Sequence, residues 1–255
     1  MDPAVLDLPR SVHLALWLPH ADRSPSATER ALAVIQGEDE PHTVTADEDV
    51  PGTVSSLAEL LDTWAREAVA VAAVLPVPGD VGGVPAPVSG DAIDAGECVL
   101  VSTPEGSFAA VPQVAAFGSV AETGYLVDWR VTRVPDWSLA VLAAVGSLPD
   151  AERDLRAALI TATDALDSLE VAQWRPDAAE AFAALRATPT HLPPGLDPRR
   201  SRVLALAARL RAVVEVATAD DGGAVNLWQA DQRSAALRHI ERAARRAVCA
   251  ATITP

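Results

Sequence analysis

The spacing of apolar residues changes at Pro135, and the change commits the chain to two kinds of structural layer. Before it, Tyr125–Val134 alternates Leu126, Asp128, Arg130 and Thr132 with Val127, Trp129, Val131 and Arg133, the period of a strand with two unlike faces. After it, Leu155, Leu159, Ala162, Leu166 and Leu169 recur at spacings of three and four and draw one apolar stripe on a helix. The expected fold class is therefore α+β. Residues 1–135 are expected to form an N-terminal mixed α/β lobe with a partly antiparallel sheet, and residues 136–255 an all-helical lobe ending in a long helical hairpin.

Within the first lobe, the apolar run Ser11–Leu18, closed by Pro19, reads as a buried strand. Ser26-Ala-Thr-Glu29 and Ser56-Leu-Ala-Glu59 each have the form of a capping box, in which hydroxyl and carboxylate satisfy open backbone N–H groups, so each predicts a helix start. Between those helices the acidic loop Glu38–Asp49 holds one short strand around His42–Thr45. Ala68–Leu75 fits a second buried strand best, with a helix continuing from Trp64 as the alternative that periodicity leaves open, and the Pro- and Gly-rich residues 76–91 predict a surface connection with little regular structure. Glu97–Ser102, Phe108–Phe117 and Tyr125–Val134, the first two joined by the turn Thr103-Pro-Glu-Gly106, predict an antiparallel meander.

The second lobe opens with helices over Ser138–Val145 and Asp150–Val171 and another from Asp177, followed by a Pro-rich linker over Thr188–Pro198. Asp197-Pro198, an acid at the cap and proline at the first helical position, starts a helix with Val203, Leu206, Ala207, Leu210, Val213, Val214 and Ala217 on its apolar stripe. A final helix runs from about Leu227 to Ala251. The hydrophobic fraction rests on Ala and Val, with three Phe and one Tyr, which predicts a core of small side chains in closely approaching helices, anchored by six Trp.

Every cation counted among the 20 Lys and Arg is arginine. That excludes a pyridoxal Schiff base, a lysine nucleophile and a Walker-type phosphate loop. No GxSxG or GxGxxG occurs, and the five His, at 13, 20, 42, 191 and 239, form no HxH or HExxH pair, so no cofactor or metal is expected. Cys98 and Cys249 form no CxxC and read as reduced, buried thiols. The opening Met1-Asp2-Pro3 lacks a basic segment, and the longest apolar runs are too short to span a bilayer; a cytoplasmic protein is expected.

Charge is unevenly spread: residues 1–198 hold ten Arg against thirty acids, and residues 199–255 ten Arg against five. On the last helix Arg238, Arg242, Arg245 and Arg246 fall on one side and Leu237, Ile240, Ala244 and Val248 on the other. The basic stripe can face solvent, the chain's own acidic body or an acidic protein surface; nucleic acid is disfavoured by the acidity of that body. Asp220-Asp-Gly-Gly-Ala-Val-Asn226 reads either as a helix-capping turn or as oxygen ligands for a hard cation. The string from Val216 to Arg233, with the Arg-rich helix after it, resembles a group of uncharacterised actinobacterial proteins, and that resemblance implies no activity or catalytic residue.

These readings point to an interaction or assembly module acting through the helical lobe, as a homo-oligomer or against an acidic protein surface. The alternative is a small-ligand binder or enzyme with a site between the lobes, lined by Trp129, Arg130, Arg133, Asp220, Asp221 and Asn226.

Overall fold

The computed structural model describes residues 8–21, 24–52, 54–119, 122–167, 191–219 and 227–254. Its contacts define two units, one built on Pro9–Val145 with His191–Gly195 and Thr252–Thr254, the other on the described parts of Gly146–Thr190 and Leu196–Ala251. The first unit is mixed α/β and the second is helical.

The first unit holds a five-stranded sheet of β1 (Thr43–Ala46), β2 (Ala70–Val74), β3 (Cys98–Thr103), β4 (Gly106–Ser119) and β5 (Glu122–Val134) in the order β1-β5-β4-β3-β2. β3, β4 and β5 form the expected antiparallel meander, β2 adds antiparallel to β3, and β1 runs parallel to β5. Cys98, Val99, Leu100 and Val101 are all buried. Successive strand residues point to opposite faces, so the centre of the sheet is covered on both. Helices α1 (Arg10–Ala21) and α3 (Leu57–Glu67) pack on the strands, as does α4 (Ser89–Ala95).

Ser11–Leu18 is a helix, not the strand its sequence suggests. Every residue of that run is buried, so it has no polar face to set a period, and Val12 is its one β-branched residue while Leu and Ala favour helix. Pro19 sits in the last turn, where it removes one backbone donor without ending the helix before Ala21. The N-terminus of α1 is met by a buried carboxylate: Ser11 N–H donates to Glu97 Oε2 at 2.7 Å.

One predicted cap shifts by two residues and the other holds. Helix α2 (Pro25–Gln36) starts at Ser24, whose Oγ accepts from Ala27 N–H, because Pro25 is preset for the first helical position and leaves Ser26 inside the helix. Ser56 does cap α3, but the Glu59 carboxylate reaches back to Ser55 N–H at 2.8 Å rather than to Ser56. Residues 76–91, expected to be irregular, include a 3₁₀ turn at Ala86–Val88 and the start of α4, which Gly96 ends in the left-handed conformation. Helix α5 (Ser138–Val145) lies against this connection so closely that a Cβ on Gly83 would stand 2.6 Å from the Ala140 carbonyl oxygen.

Both outer edges of the sheet are covered. Thr254 exchanges backbone hydrogen bonds with Val71 of β2, and Ala73 N–H donates to Thr252 Oγ1 at 2.9 Å. Beside β1, Val44 N–H donates to the Ser55 carbonyl and Leu57 N–H to the His42 carbonyl.

The second unit contains α6 (Leu148–Asp167), α7 (Pro198–Ala219) and α8 (Leu227–Thr252). Asp197 caps α7 as expected, its Oδ1 accepting from Arg199 and Arg200 N–H at 2.9 and 3.1 Å. Arg200 Nη1 donates to the Ala251 carbonyl, which sets the start of α7 beside the end of α8 and makes the pair antiparallel. Val203, Leu204, Ala207, Ile240, Ala244, Ala247 and Val248 are buried, the small-residue helical core foreseen from composition. The expected helix from Asp177 and the linker before His191 lie outside the described residues.

Candidate functional site

β4 and β5 are far longer than their neighbours. Their register runs unbroken from Ser107 opposite Val134 to Ser119 opposite Glu122. β3 accompanies β4 only as far as Ala110, and β1 accompanies β5 only from Asp128. Residues 114–119 and 122–127 therefore continue beyond the sheet as a two-stranded ribbon. Directly opposed residues share a face, so Val114, Ala116 and Tyr125 lie on one side and Ala115, Phe117 and Leu126 on the other. Val114, Phe117, Tyr125 and Leu126 are 46%, 44%, 40% and 52% exposed. Both faces of the ribbon thus hold apolar side chains in water.

The ribbon is braced locally. The Phe117 ring lies over Gly124, so close that a Cβ there would fall 2.5 Å from it. Near the tip, Thr123 Oγ1 donates to the Ser119 carbonyl and Glu122 N–H to Ser119 Oγ. At the base, Glu40 N–H donates to the Tyr125 carbonyl at 3.1 Å, and the Arg10 guanidinium stands 6.0 Å from the Tyr125 ring centroid.

Beneath that base runs a buried polar chain. Arg10 grips Asp39 with two hydrogen bonds, Nε to Oδ2 at 2.6 Å and Nη2 to Oδ1 at 2.9 Å. Asp39 Oδ2 faces His42 Nε2 at 3.1 Å, and Trp129 Nε1–H points at His42 Nδ1 at 3.1 Å. An indole N–H can only donate, so Nδ1 accepts and the proton of the neutral ring sits on Nε2, donated to Asp39. Burial pushes the His42 imidazole below its ordinary value, against the hydrogen bond and charge of Asp39 that pull it up, and Arg10 adds to the lowering. Burial pushes the Asp39 carboxyl up, but the hydrogen bonds and charges of Arg10 and His42 outweigh it and hold the group below its ordinary value. With both ring nitrogens engaged, His42 is a brace between β1 and β5.

The residues singled out from sequence fall in different places. Trp129 is fully buried, its N–H spent on His42. Arg130 stands 3.8 Å from Asp47, and Arg133 donates to the carbonyls of Asp49 and Glu105 while its guanidinium lies 5.1 Å from the Phe108 ring centroid. These two arginines tie the acidic loop and the 103–106 turn to the sheet. On α8, Arg238 and Arg242 are exposed, Arg246 is half-buried, and Arg245 is 5% exposed with Nε 2.7 Å from Glu241 Oε1. Asp220, Asp221 and Asn226 lie outside the described residues. Among the described residues no three His, Cys, Asp or Glu side chains come together as metal ligands, and no helix is long and apolar enough to cross a membrane.

The sequence reading missed Val114, Phe117, Tyr125 and Leu126 as surface residues. From Ser107 to Val120 no residue is charged, in a chain where 22% are, a pattern that reads as buried strand and gives no cue to exposure.

Two family models match the chain, the N-terminal domain of the Rv1486c-like protein over residues 11–144 and its C-terminal domain over residues 149–249. The uncharacterized protein ML1804 of Mycobacterium leprae is 33% identical over 170 residues, which cover 57% of this chain and 54% of that protein. The uncharacterized protein Rv1486c of Mycobacterium tuberculosis is 33% identical over 187 residues, 65% of this chain and 62% of that protein. The chain thus spans somewhat more than half the length of these relatives. No solved structure matches it. With one family model covering more than half of its residues and a second covering most of the remainder, the chain belongs to the Rv1486c-like protein family.

Proposed function

We propose that this chain is an interaction module and that the β4–β5 ribbon is the element through which it meets another protein. One observation carries the reading: apolar side chains stand exposed on both faces of the ribbon, and among the described residues the outward backbone groups of its β4 strand meet no other strand, while the outer edges of the sheet are covered. A two-stranded ribbon is marginal in water by itself. Burying its side chains gains about 25 cal/mol per Å² of apolar surface, and strand addition to such an edge supplies affinity from the main chain and specificity from alternate side chains. The reading moves the contact from the last helix, where the Arg stripe suggested it, to the α/β unit. The role is a cytoplasmic one, supported by two cysteines that form no disulfide.

Sedimentation velocity and affinity capture test it with three proteins: wild type, a ribbon variant (Val114→Ser, Phe117→Ser, Leu126→Ser) and a helix variant (Arg238→Glu, Arg242→Glu). Association lost in the ribbon variant alone, with an unchanged circular dichroism spectrum, is the expected result. Association lost in the helix variant alone overturns the reading.

A further inference from the structure

We infer that the partner of the β4 edge is the same edge of a second copy, paired antiparallel about a twofold axis at Ala116; this rests on reading the ribbon as the contact element. The backbone directions follow from the register. In an antiparallel pair the N–H and C=O of one residue both face its partner strand or both face away, alternating along the chain. The Tyr125 carbonyl faces away from β4, toward Glu40 N–H. Its opposite residue Ala116, and by alternation Val114 and Gly118, therefore turn their backbone groups outward from β4. Among the described residues those groups meet no strand. Pro112, next in the alternation, has no N–H and closes the edge on the side of the sheet.

Three observations favour a second copy over another partner. The first is charge. Edge strands are ordinarily guarded by charges or bulges, yet residues 113–119 carry no charge and the β4–β5 register contains no bulge. In a chain of net charge −15, this edge meets its own copy without setting acids opposite acids. The β5 edge offers no such match, because Glu122 and Asp128 bound it and Glu40 already occupies its Tyr125 carbonyl.

The second is shape. Pairing about Ala116 sets Val114 against Gly118 of the other copy and Ala115 against Phe117 of the other copy, a large residue against a small one on each face. The third is reciprocity: the three outward residues on one copy are the same three on the other, which closes an isologous pair with about six main-chain hydrogen bonds. Edge pairing over this length buries on the order of 500 Å² per copy, below the standard of about 800 Å² per partner, so the dimer is a weak one formed at micromolar concentrations or above.

Ala116→Cys and Ala116→Lys test the pairing. Opposed residues of a hydrogen-bonded antiparallel pair have Cα atoms about 5.5 Å apart, within reach of a disulfide. The native Cys98 and Cys249 are buried. Ala116→Cys is expected to form a disulfide-linked dimer under mild oxidation at least about tenfold faster than Ala115→Cys, whose opposite residue is Phe117. Ala116→Lys sets like charges face to face at the axis and is expected to weaken the dimer in sedimentation by at least about tenfold. Equal cross-linking of the two cysteine variants, or a dimer unchanged by Ala116→Lys, overturns the pairing. If the wild-type chain sediments as a monomer while the triple-serine ribbon variant loses capture of a different protein, the pairing fails and the interaction reading survives. If the ribbon variant changes no association at all, both fail.

Discussion

Replacing His42 by Gln is expected to flatten the pH dependence of stability as pH falls below about 6.5. The folded ring accepts from Trp129 through Nδ1, donates to Asp39 through Nε2, and is buried, so a second proton on Nδ1 would face the Trp129 N–H, donor against donor. Its folded value is lowered, hence below about pH 6.5 the unfolded chain binds a proton that the folded chain refuses. Stability from this group is fully present above that pH and is lost as pH falls, at up to about 1.4 kcal/mol per pH unit, until the folded ring itself protonates. His42→Gln removes the slope and leaves the Trp129 N–H without its ring acceptor, at about 1–3 kcal/mol near pH 7. The two stability curves should converge as pH drops. Urea unfolding followed by circular dichroism from pH 7.5 to 5 measures both, and the difference between wild type and variant cancels the other four histidines. Parallel curves with a constant offset would refute the buried-acceptor reasoning. A separate loss of stability, from Asp39, begins as pH falls below about 3.9, because its folded carboxyl resists protonation, and Asp39→Asn should remove it.

Gly83→Ala is expected to destabilise by more than Gly79→Ala. Both have φ near +85°, a conformation that costs a side-chain-bearing residue about 1–3 kcal/mol, but only at Gly83 does the new Cβ also strike backbone, 2.6 Å from the Ala140 oxygen, whereas at Gly79 nothing lies within 4 Å. Equal shifts in urea midpoint would show that α5 yields. Asp197→Ala should lower stability by about 1 kcal/mol through loss of the α7 cap, with Asp197→Asn or Asp197→Ser restoring most of it. Cys98 and Cys249 are both buried, so a charged disulfide reagent should label neither thiol in the folded chain and both in urea; rapid stoichiometric labelling without urea would contradict their burial.

The parts of the fold legible in sequence are those where local chemistry and burial agree. Thr103-Pro-Glu-Gly106 marks the β3–β4 turn, β5 alternates because its sheet portion has unlike faces, and Asp197-Pro198 starts α7 where such a pair should. Ser11–Leu18 was not legible because total burial erases the period that separates helix from strand. The parallel pairing of β1 with β5 is a long-range choice between residues more than eighty positions apart, with no local cue. Arg245 shows the limit of helical-wheel reasoning: its angle groups it with Arg238 and Arg242, yet it is buried and paired with Glu241 one turn away while they stand exposed. The ribbon was hidden for the opposite reason. Val114, Phe117 and Leu126 look like core residues, and sequence alone does not reveal that the neighbouring strands stop before reaching them.

The direction of the salt dependence separates the two surfaces on which this chain could associate. Two copies joined at the uncharged β4 edges bring together bodies that each carry −15, so the contact gains little from charge while the remainder of each molecule repels the other. Raising salt from about 0.01 M to about 0.15 M shortens the screening length from about 30 Å to about 8 Å and weakens that repulsion, and the dimer should tighten. An acidic partner held by Arg238 and Arg242 behaves in the opposite way, since its affinity comes from the attraction that salt removes. Sedimentation equilibrium across that range gives the sign without any substitution. Self-association that falls as salt rises would remove the β4 edge as its principal contact and return the exposed arginines of α8 to that role.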